Sequence, residues 1–159
     1  MADEKARLDY RIAIVTGASR NLGRAIALEL ATQGAASVLV ARDRAALDDV
    51  VAEAKKRGAP DAFAIWADLA EAGEPDRVVQ ATAERFGRID ILVNNAGATK
   101  RGDFLAQPDE DRLSGFALKY HATVRFYRAA WPYLASPGGV IVNIAGVSAP
   151  SPISRLAAR

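Results

Sequence analysis

Short apolar runs recur along the chain, separated by segments of helical length, and this alternation restricts the possible folds more than any other feature. The runs cover residues 12–15, 37–41, 62–66, 89–93 and 140–144. Strands that are apolar at nearly every position are typical of a parallel sheet covered by helices on both faces. The alternation therefore predicts a sheet built from successive β-α units.

The segments between the runs carry start and stop signals of helices. Gly34, Gly58 and Gly87 each follow an amphipathic stretch, and glycine at this place commonly ends a helix. Asp43 is suited to cap the second helix, and Pro75 suits the first turn of the third. We therefore predict one helix after each of the first three strands.

A longer segment before the last run has apolar residues at steps of three and four. We predict an amphipathic helix that buries this stripe, which comprises Leu113, Phe116, Tyr120, Val124, Tyr127, Trp131 and Leu134. Lys119, His121, Arg125 and Arg128 lie off the stripe. His121 is the single histidine and has no carboxylate or second histidine nearby in sequence, so we expect no metal site.

A glycine-containing loop follows the first apolar run and leads into the first helix. Gly17 allows a sharp turn off the strand, and Gly23 removes a side chain where the helix must lie close to the sheet. Asn21 stands where a third glycine would be usual, and asparagine tolerates a left-handed backbone. The free N–H groups of the first helical turn would then face a phosphate. An ordinary turn is the alternative reading of such a loop.

From about residue 11 to 146 the chain resembles the short-chain dehydrogenase/reductase family. Thr16, Gly17 and Gly23 match the family's Thr-Gly-x-x-x-Gly-x-Gly pattern except at Asn21, and residues 94–97 read Asn-Asn-Ala-Gly as in the family. The resemblance implies a Rossmann-like doubly wound parallel sheet, α/β/α, with strand order 3-2-1-4-5. It also implies that a nicotinamide dinucleotide contacts Gly17, Ser19, Arg20, Asn21, Leu22, Gly23, Arg42, Asp68, Leu69, Asn95, Ala96 and Gly97.

The end of the second strand bears on which dinucleotide is bound. An acid at this place would bind the ribose hydroxyls of NAD, whereas the 2′-phosphate of NADP needs positive charge. The sequence has Arg42 there, and Arg20 could reach the same phosphate from the glycine loop. We therefore predict NADP, with NAD as the alternative because Asp43 supplies an acid if the register shifts by one residue. Both arginines could also be solvated surface charges.

The catalytic half departs from the family, which uses a tyrosine with a lysine four residues later. The tyrosines at 10, 120, 127 and 133 lack that lysine. In the family the motif lies downstream of the fifth strand, so we expect that the chain ends at Arg159 before the motif is reached. The family's substrate-orienting serine falls on Gly146, with Ser148 the nearest hydroxyl, and its relay asparagine falls on Lys119. A loop serine and a solvated helix face are the favoured readings of Ser148 and Lys119. No catalytic residue is therefore assigned.

The resemblance thus predicts an NADP-dependent oxidoreductase that acts on an alcohol/carbonyl pair. This chain would carry the cofactor-binding part, and its partner would be a small-molecule substrate if it is active. The alternatives are a non-catalytic NADP-binding or regulatory module and an inactive truncated fragment. With 159 residues, 50% of them hydrophobic and 25% charged, we expect one domain, with an irregular tail at 148–159.

The remaining composition excludes several classes of function. Absence of cysteine excludes disulfides and thiol catalysis. A net charge of +2 without a basic block makes nucleic acid an unexpected partner, and no run is long enough for a membrane span. The charged residues 2–11 are unlike a signal peptide, so we expect a cytoplasmic protein. We also expect self-association, because residues 140–144 would present an unpaired sheet edge.

Overall fold

A parallel sheet of five strands forms the centre of the computed structural model, which describes residues 8–98, 100, 103, 105–135 and 138–146. The strands are β1 Ile12–Thr16, β2 Ala36–Ala41, β3 Ala62–Trp66, β4 Ile91–Asn94 and β5 Val140–Asn143. Their order is β3-β2-β1-β4-β5, and every pair is parallel. The predicted strand order is therefore confirmed. The predicted tail at 148–159 lies outside the described residues.

The described helices connect the strands and cover both faces of the sheet. They are α1 Asn21–Thr32, α2 Arg44–Lys56, α3 Glu74–Phe86, α4 Asp109–Phe116 and α5 Ala122–Leu134, with a π-helical turn Ala117–His121 joining the last two. The Asp43 carboxylate caps α2 by accepting from the Ala46 N–H at 3.1 Å, and Pro75 lies in the first turn of α3, as predicted. None of these helices is long and apolar enough to cross a membrane.

Alternate residues of each central strand supply two separate hydrophobic cores. Ala13 and Val15 of β1 pack with α1 and α2, whereas Ile14 between them packs on the opposite face with α3 and α5. All three of these strand residues have no exposed surface. The predicted three-layer α/β/α architecture follows from this alternation, and both faces of the strands are apolar because helices cover both.

The stripe predicted to be buried on the fourth helical segment is wrong in part, because Leu134 is buried and Tyr127 packs against the core but four other members are exposed. Leu113, Phe116, Tyr120 and Trp131 are between 58% and 67% exposed. The buried stripe contains Leu134, as predicted, together with Ala122, Phe126 and Ala130, which the prediction lacks, at steps of four. The π-helical turn holds an extra residue, so a stripe read at 3.6 residues per turn does not stay on one face. Small alanines also let α5 pack closely, which a search for large apolar residues misses.

The amino ends of the inner strands are joined by a buried carboxylate. Asp90, just before β4, accepts from the Ile12 N–H at 2.9 Å, from Arg11 Nη1 at 3.0 Å and from Arg88 Nη2 at 2.6 Å. Burial alone would raise the pKa of Asp90, but hydrogen bonds from Arg88, the Ile12 N–H and Arg11 outweigh it and leave the pKa below its usual value. The carboxylate is therefore charged and anchors the end of the sheet opposite the cleft described next.

Candidate cofactor site

A cleft of about 420 Å³ lies at the carboxyl ends of the central strands. The glycine loop after β1, the first residues after β2 and β3, and the residues after β4 form its walls. Every residue that the resemblance assigns to the dinucleotide lines this cleft. Ala41, Ala67, Ala98 and Leu118 line it as well and are absent from the sequence-based assignment, and Asp43, the alternative acid named from the sequence, also lines it. Ligands of doubly wound sheets bind at this kind of crevice.

The glycine loop packs directly on the segment after β4. The Asn95 side-chain amide donates to the carbonyl oxygens of Thr16 at 3.0 Å and Gly17 at 3.2 Å. A Cβ atom on Gly17 would lie 2.9 Å from Asn95 Nδ2 and 3.0 Å from Ala96 Cα. A Cβ atom on Gly23 would collide with the Gly17 carbonyl oxygen and the same amide. Both positions therefore need glycine because the two segments touch.

Thr16 joins the glycine loop to the segment after β4. Its hydroxyl donates to the Val93 carbonyl oxygen at 3.1 Å and accepts from the N–H groups of Asn95 and Ala96, both at 3.0 Å. The residue is 2% exposed, so these bonds form away from water. Thr16 was part of the sequence motif, but its role in fixing the loop after β4 was not anticipated.

The start of α1 is shaped to receive an anion. Asn21 has a left-handed backbone with φ of 49°, as the sequence predicted for this position. Arg20 precedes it with an extended backbone, and its side chain makes no capping hydrogen bond within the described part of the chain. The first-turn N–H groups of α1 therefore have no side-chain acceptor among the described residues and could donate to an anion in the cleft.

Arg42, the first residue after β2, contacts two neighbours. Its Nη1 lies 3.8 Å from Asp68 Oδ2, and its carbonyl oxygen accepts from the Trp66 indole N–H. The Trp66 carbonyl oxygen in turn accepts from Arg77 Nη2 at 2.8 Å. Asp43, the alternative acid of this region, is exposed, and its carboxylate is already engaged in capping α2. Arg42 is thus the cation placed directly after β2.

Lys119 lies beside the cleft, next to Gly97, which is one of the lining residues. A Cβ atom on Gly97 would lie 2.6 Å from Lys119 Cε and 2.7 Å from its Nζ. The lysine side chain therefore lies across Gly97, and Lys119 is exposed, as the interpretation as a solvated helix face predicts. Gly146 is exposed beyond β5, and Ser148 lies outside the described residues.

A network of polar side chains connects β4 and β5 to α5. Asn94 Nδ2 donates to Asn143 Oδ1 at 3.0 Å, and Asn143 Nδ2 donates to the Tyr127 hydroxyl. Tyr127 is thereby engaged away from the glycine loop. The network fixes the carboxyl ends of β4 and β5, and the residues after β4 continue from there into the cleft wall.

Comparison with known proteins agrees with this geometry. The family described as short chain dehydrogenase matches residues 11–158. Over 150 residues the chain is 35% identical to 11-beta-hydroxysteroid dehydrogenase A of Sesamum indicum, covering 92% of this chain and 42% of that protein. It is 38% identical over 149 residues to a 3-oxoacyl-[acyl-carrier-protein] reductase of Synechocystis sp., covering 89% and 58% respectively.

A solved structure has the same fold. NAD+-bound xylitol dehydrogenase superposes with a TM-score of 0.87 at 27% identity, covering 95% of this chain and 58% of that one. The chain thus spans about two fifths to three fifths of the length of the proteins it matches.

Proposed function

Because this chain belongs to the short-chain dehydrogenase family, an oxidoreductase family, we propose that it binds NADP(H) in the cleft and carries the cofactor-binding part of an enzyme acting on an alcohol/carbonyl pair. A bound nicotinamide donates a hydride to, or accepts one from, the carbon of that pair. The chain's own residues orient the dinucleotide: the first turn of α1 faces the pyrophosphate, and Asp68 and Leu69 border the adenine end.

The observation that carries the NADP assignment is Arg42. It follows β2 at the place where an acid would favour NAD, its guanidinium lies 3.8 Å from the Asp68 carboxylate, and the Trp66 indole N–H bonds its backbone carbonyl oxygen. A guanidinium binds phosphate with paired hydrogen bonds, and Arg20 on the opposite wall adds a second positive charge. Together they favour a 2′-phosphate.

NAD remains the alternative cofactor. The similar xylitol dehydrogenase structure is described as NAD+-bound, and Asp43 also lines the cleft. The two assignments differ in one measurable quantity, which is the ratio of the dissociation constants for the two dinucleotides.

Calorimetric titration with NADP+ and NAD+ tests the assignment. Charge-assisted hydrogen bonds contribute about 1.5–3 kcal/mol, so we expect NADP+ to bind about ten- to a hundredfold more tightly. Arg42→Ala should remove most of this preference. Arg44→Ala is the matched control, since Arg44 is exposed on α2 and does not line the cleft. Equal affinities, or a preference unchanged in Arg42→Ala, would contradict the proposal.

A second candidate function is dinucleotide binding without turnover. The sequence given contains no Tyr-x-x-x-Lys, and Lys119 and Gly146 stand where the family has its relay asparagine and its serine. General acid catalysis contributes roughly 10²–10⁴-fold, so its loss would leave little activity. Turnover assays over alcohols and ketones at saturating NADP(H) distinguish the two candidates, because enzyme-like rates would exclude the binding module.

A further inference from the structure

We propose that the Lys119 ammonium binds the dinucleotide on the nicotinamide side of its pyrophosphate. This inference rests on the proposed function only in requiring a dinucleotide in the cleft, and it holds for either NADP or NAD. It assigns a binding role to a residue that stands where the family has an uncharged asparagine.

The position of the side chain follows from two features of the fold. The π-helical turn Ala117–His121 carries Lys119 beside Leu118, which lines the cleft. Gly97 has no side chain, and the space that its Cβ atom would fill is taken by Lys119 Cγ at 3.3 Å, Cε at 2.6 Å and Nζ at 2.7 Å. The exposed lysine thus lies across Gly97, which lines the cleft, and the glycine makes room for it.

Gly97, which Lys119 covers, is one residue away from the contact between the glycine loop and the segment after β4. Gly97 directly follows Ala96, whose Cα would lie 3.0 Å from a Cβ atom on Gly17 of the phosphate-facing loop. A flexible lysine stem can cover the remaining gap to a bound phosphate. Gly97 lies on the side of the loop away from Arg42 and β3, which is the side left for the nicotinamide half.

The charge of Lys119 is available to a ligand. Within the described part of the chain, no carboxylate forms an ion pair with Lys119, whereas the nearby Lys100 pairs with Asp111 at 2.6 Å. The backbone of Lys119 is fixed, because its carbonyl oxygen accepts a hydrogen bond from the Thr123 hydroxyl at 2.9 Å. An exposed cation beside a concave site attracts an anionic ligand.

Calorimetry with two ligands tests the assignment on the 159-residue chain. ADP-ribose contains the pyrophosphate and the second ribose, whereas adenosine 2′-monophosphate contains neither. Lys119→Met should weaken ADP-ribose binding by about five- to tenfold and leave adenosine 2′-monophosphate unchanged. Lys119→Arg should restore most of the lost affinity. The dissociation constant for ADP-ribose should also depend less on salt in Lys119→Met.

Two controls separate this effect from general changes. Lys56→Met removes the same charge from an exposed position on α2 and should leave both affinities unchanged. Gly97→Ala should displace the lysine side chain and weaken ADP-ribose binding, and this loss should be smaller in a Lys119→Ala background.

The outcomes are distinct. ADP-ribose affinity that is unchanged in Lys119→Met, or Gly97→Ala losses that are equal in both backgrounds, would overturn the assignment while leaving the proposed function intact. If the unaltered chain binds neither ligand nor NADP+, both proposals fail together.

Discussion

The Asn95 side-chain amide lies 2.9 Å from the point where a Cβ atom on Gly17 would stand. The same amide donates to the carbonyl oxygen of Gly17 at 3.2 Å. The glycine loop and the segment after β4 therefore form one unit, and a side chain at Gly17 would separate them.

We expect Gly17→Val to abolish dinucleotide binding. Gly17 has φ of 67°, which a branched side chain disfavours, and the new Cβ atom would press on the Ala96 backbone. We expect a loss of about 1–3 kcal/mol in the free energy of unfolding as well. Circular dichroism during urea unfolding and calorimetry with NADP+ measure the two effects.

Gly87→Val is the matched control for that substitution. Gly87 has φ of 70° and lies at the end of α3, where no atom comes within 4 Å of an added Cβ atom. It should lower stability through the same backbone strain and leave binding intact. Asn21→Gly should be tolerated, since Asn21 already has a left-handed backbone. Binding that survives in a folded Gly17→Val protein would mean that the loop is only a turn.

Asp90→Asn should destabilise the chain at neutral pH by about 2 kcal/mol, because it leaves two arginines without their charged partner. The pKa of Asp90 is lower in the folded chain than in the unfolded one. Its contribution is therefore present above the unfolded pKa of about 4 and is lost as the pH falls through the folded pKa. Urea unfolding of both proteins at pH 7 and at successively lower pH should show the difference shrinking.

Asp109→Asn is the control, because Asp109 is 83% exposed in its pair with Arg112. Exposed pairs of this kind contribute about 0–1 kcal/mol. An Asp90→Asn effect no larger than that of Asp109→Asn, or one that grows toward acid pH, would contradict the role given to Asp90.

Features set by neighbouring residues could be predicted from sequence, and features set by packing could not. The helix-ending glycine Gly87, the capping Asp43 and the first-turn Pro75 each act within or next to one helix, so the sequence could predict their roles. The π-helical turn Ala117–His121 has no comparable local signal, and it shifted the buried face of α5. The contact of Lys119 with Gly97 joins segments far apart in sequence, and only the fold brings them together.

Trp66→Phe should weaken NADP+ binding about three- to tenfold with little effect on NAD+. The change removes the indole N–H that holds the Arg42 carbonyl oxygen, while the ring is kept. Arg42 would then be less well positioned for a 2′-phosphate, and positioning losses appear in the ratio of the two affinities. Trp131→Phe, at an exposed place on α5, is the control. An equal change for both dinucleotides would indicate a merely structural role for Trp66.

Two apolar surfaces of the chain lack cover within the described residues. Val140 and Val142 are 47% and 39% exposed on β5, which pairs only with β4 in the part of the chain that the structure describes. Phe116 and Trp131 are exposed on the helical segment that runs from α4 to α5. An open strand edge and large exposed apolar side chains both favour association.

We therefore expect the 159-residue chain to self-associate in the micromolar range, as size-exclusion chromatography with light scattering would show. Val142→Lys should reduce the association if the strand edge carries it, because a charged edge resists pairing. Phe116→Glu with Trp131→Glu should reduce it if the helical surface does. Tyr10→Lys alters a residue that is 86% exposed before β1 and should change nothing. A monomer at every concentration would show that neither surface drives association.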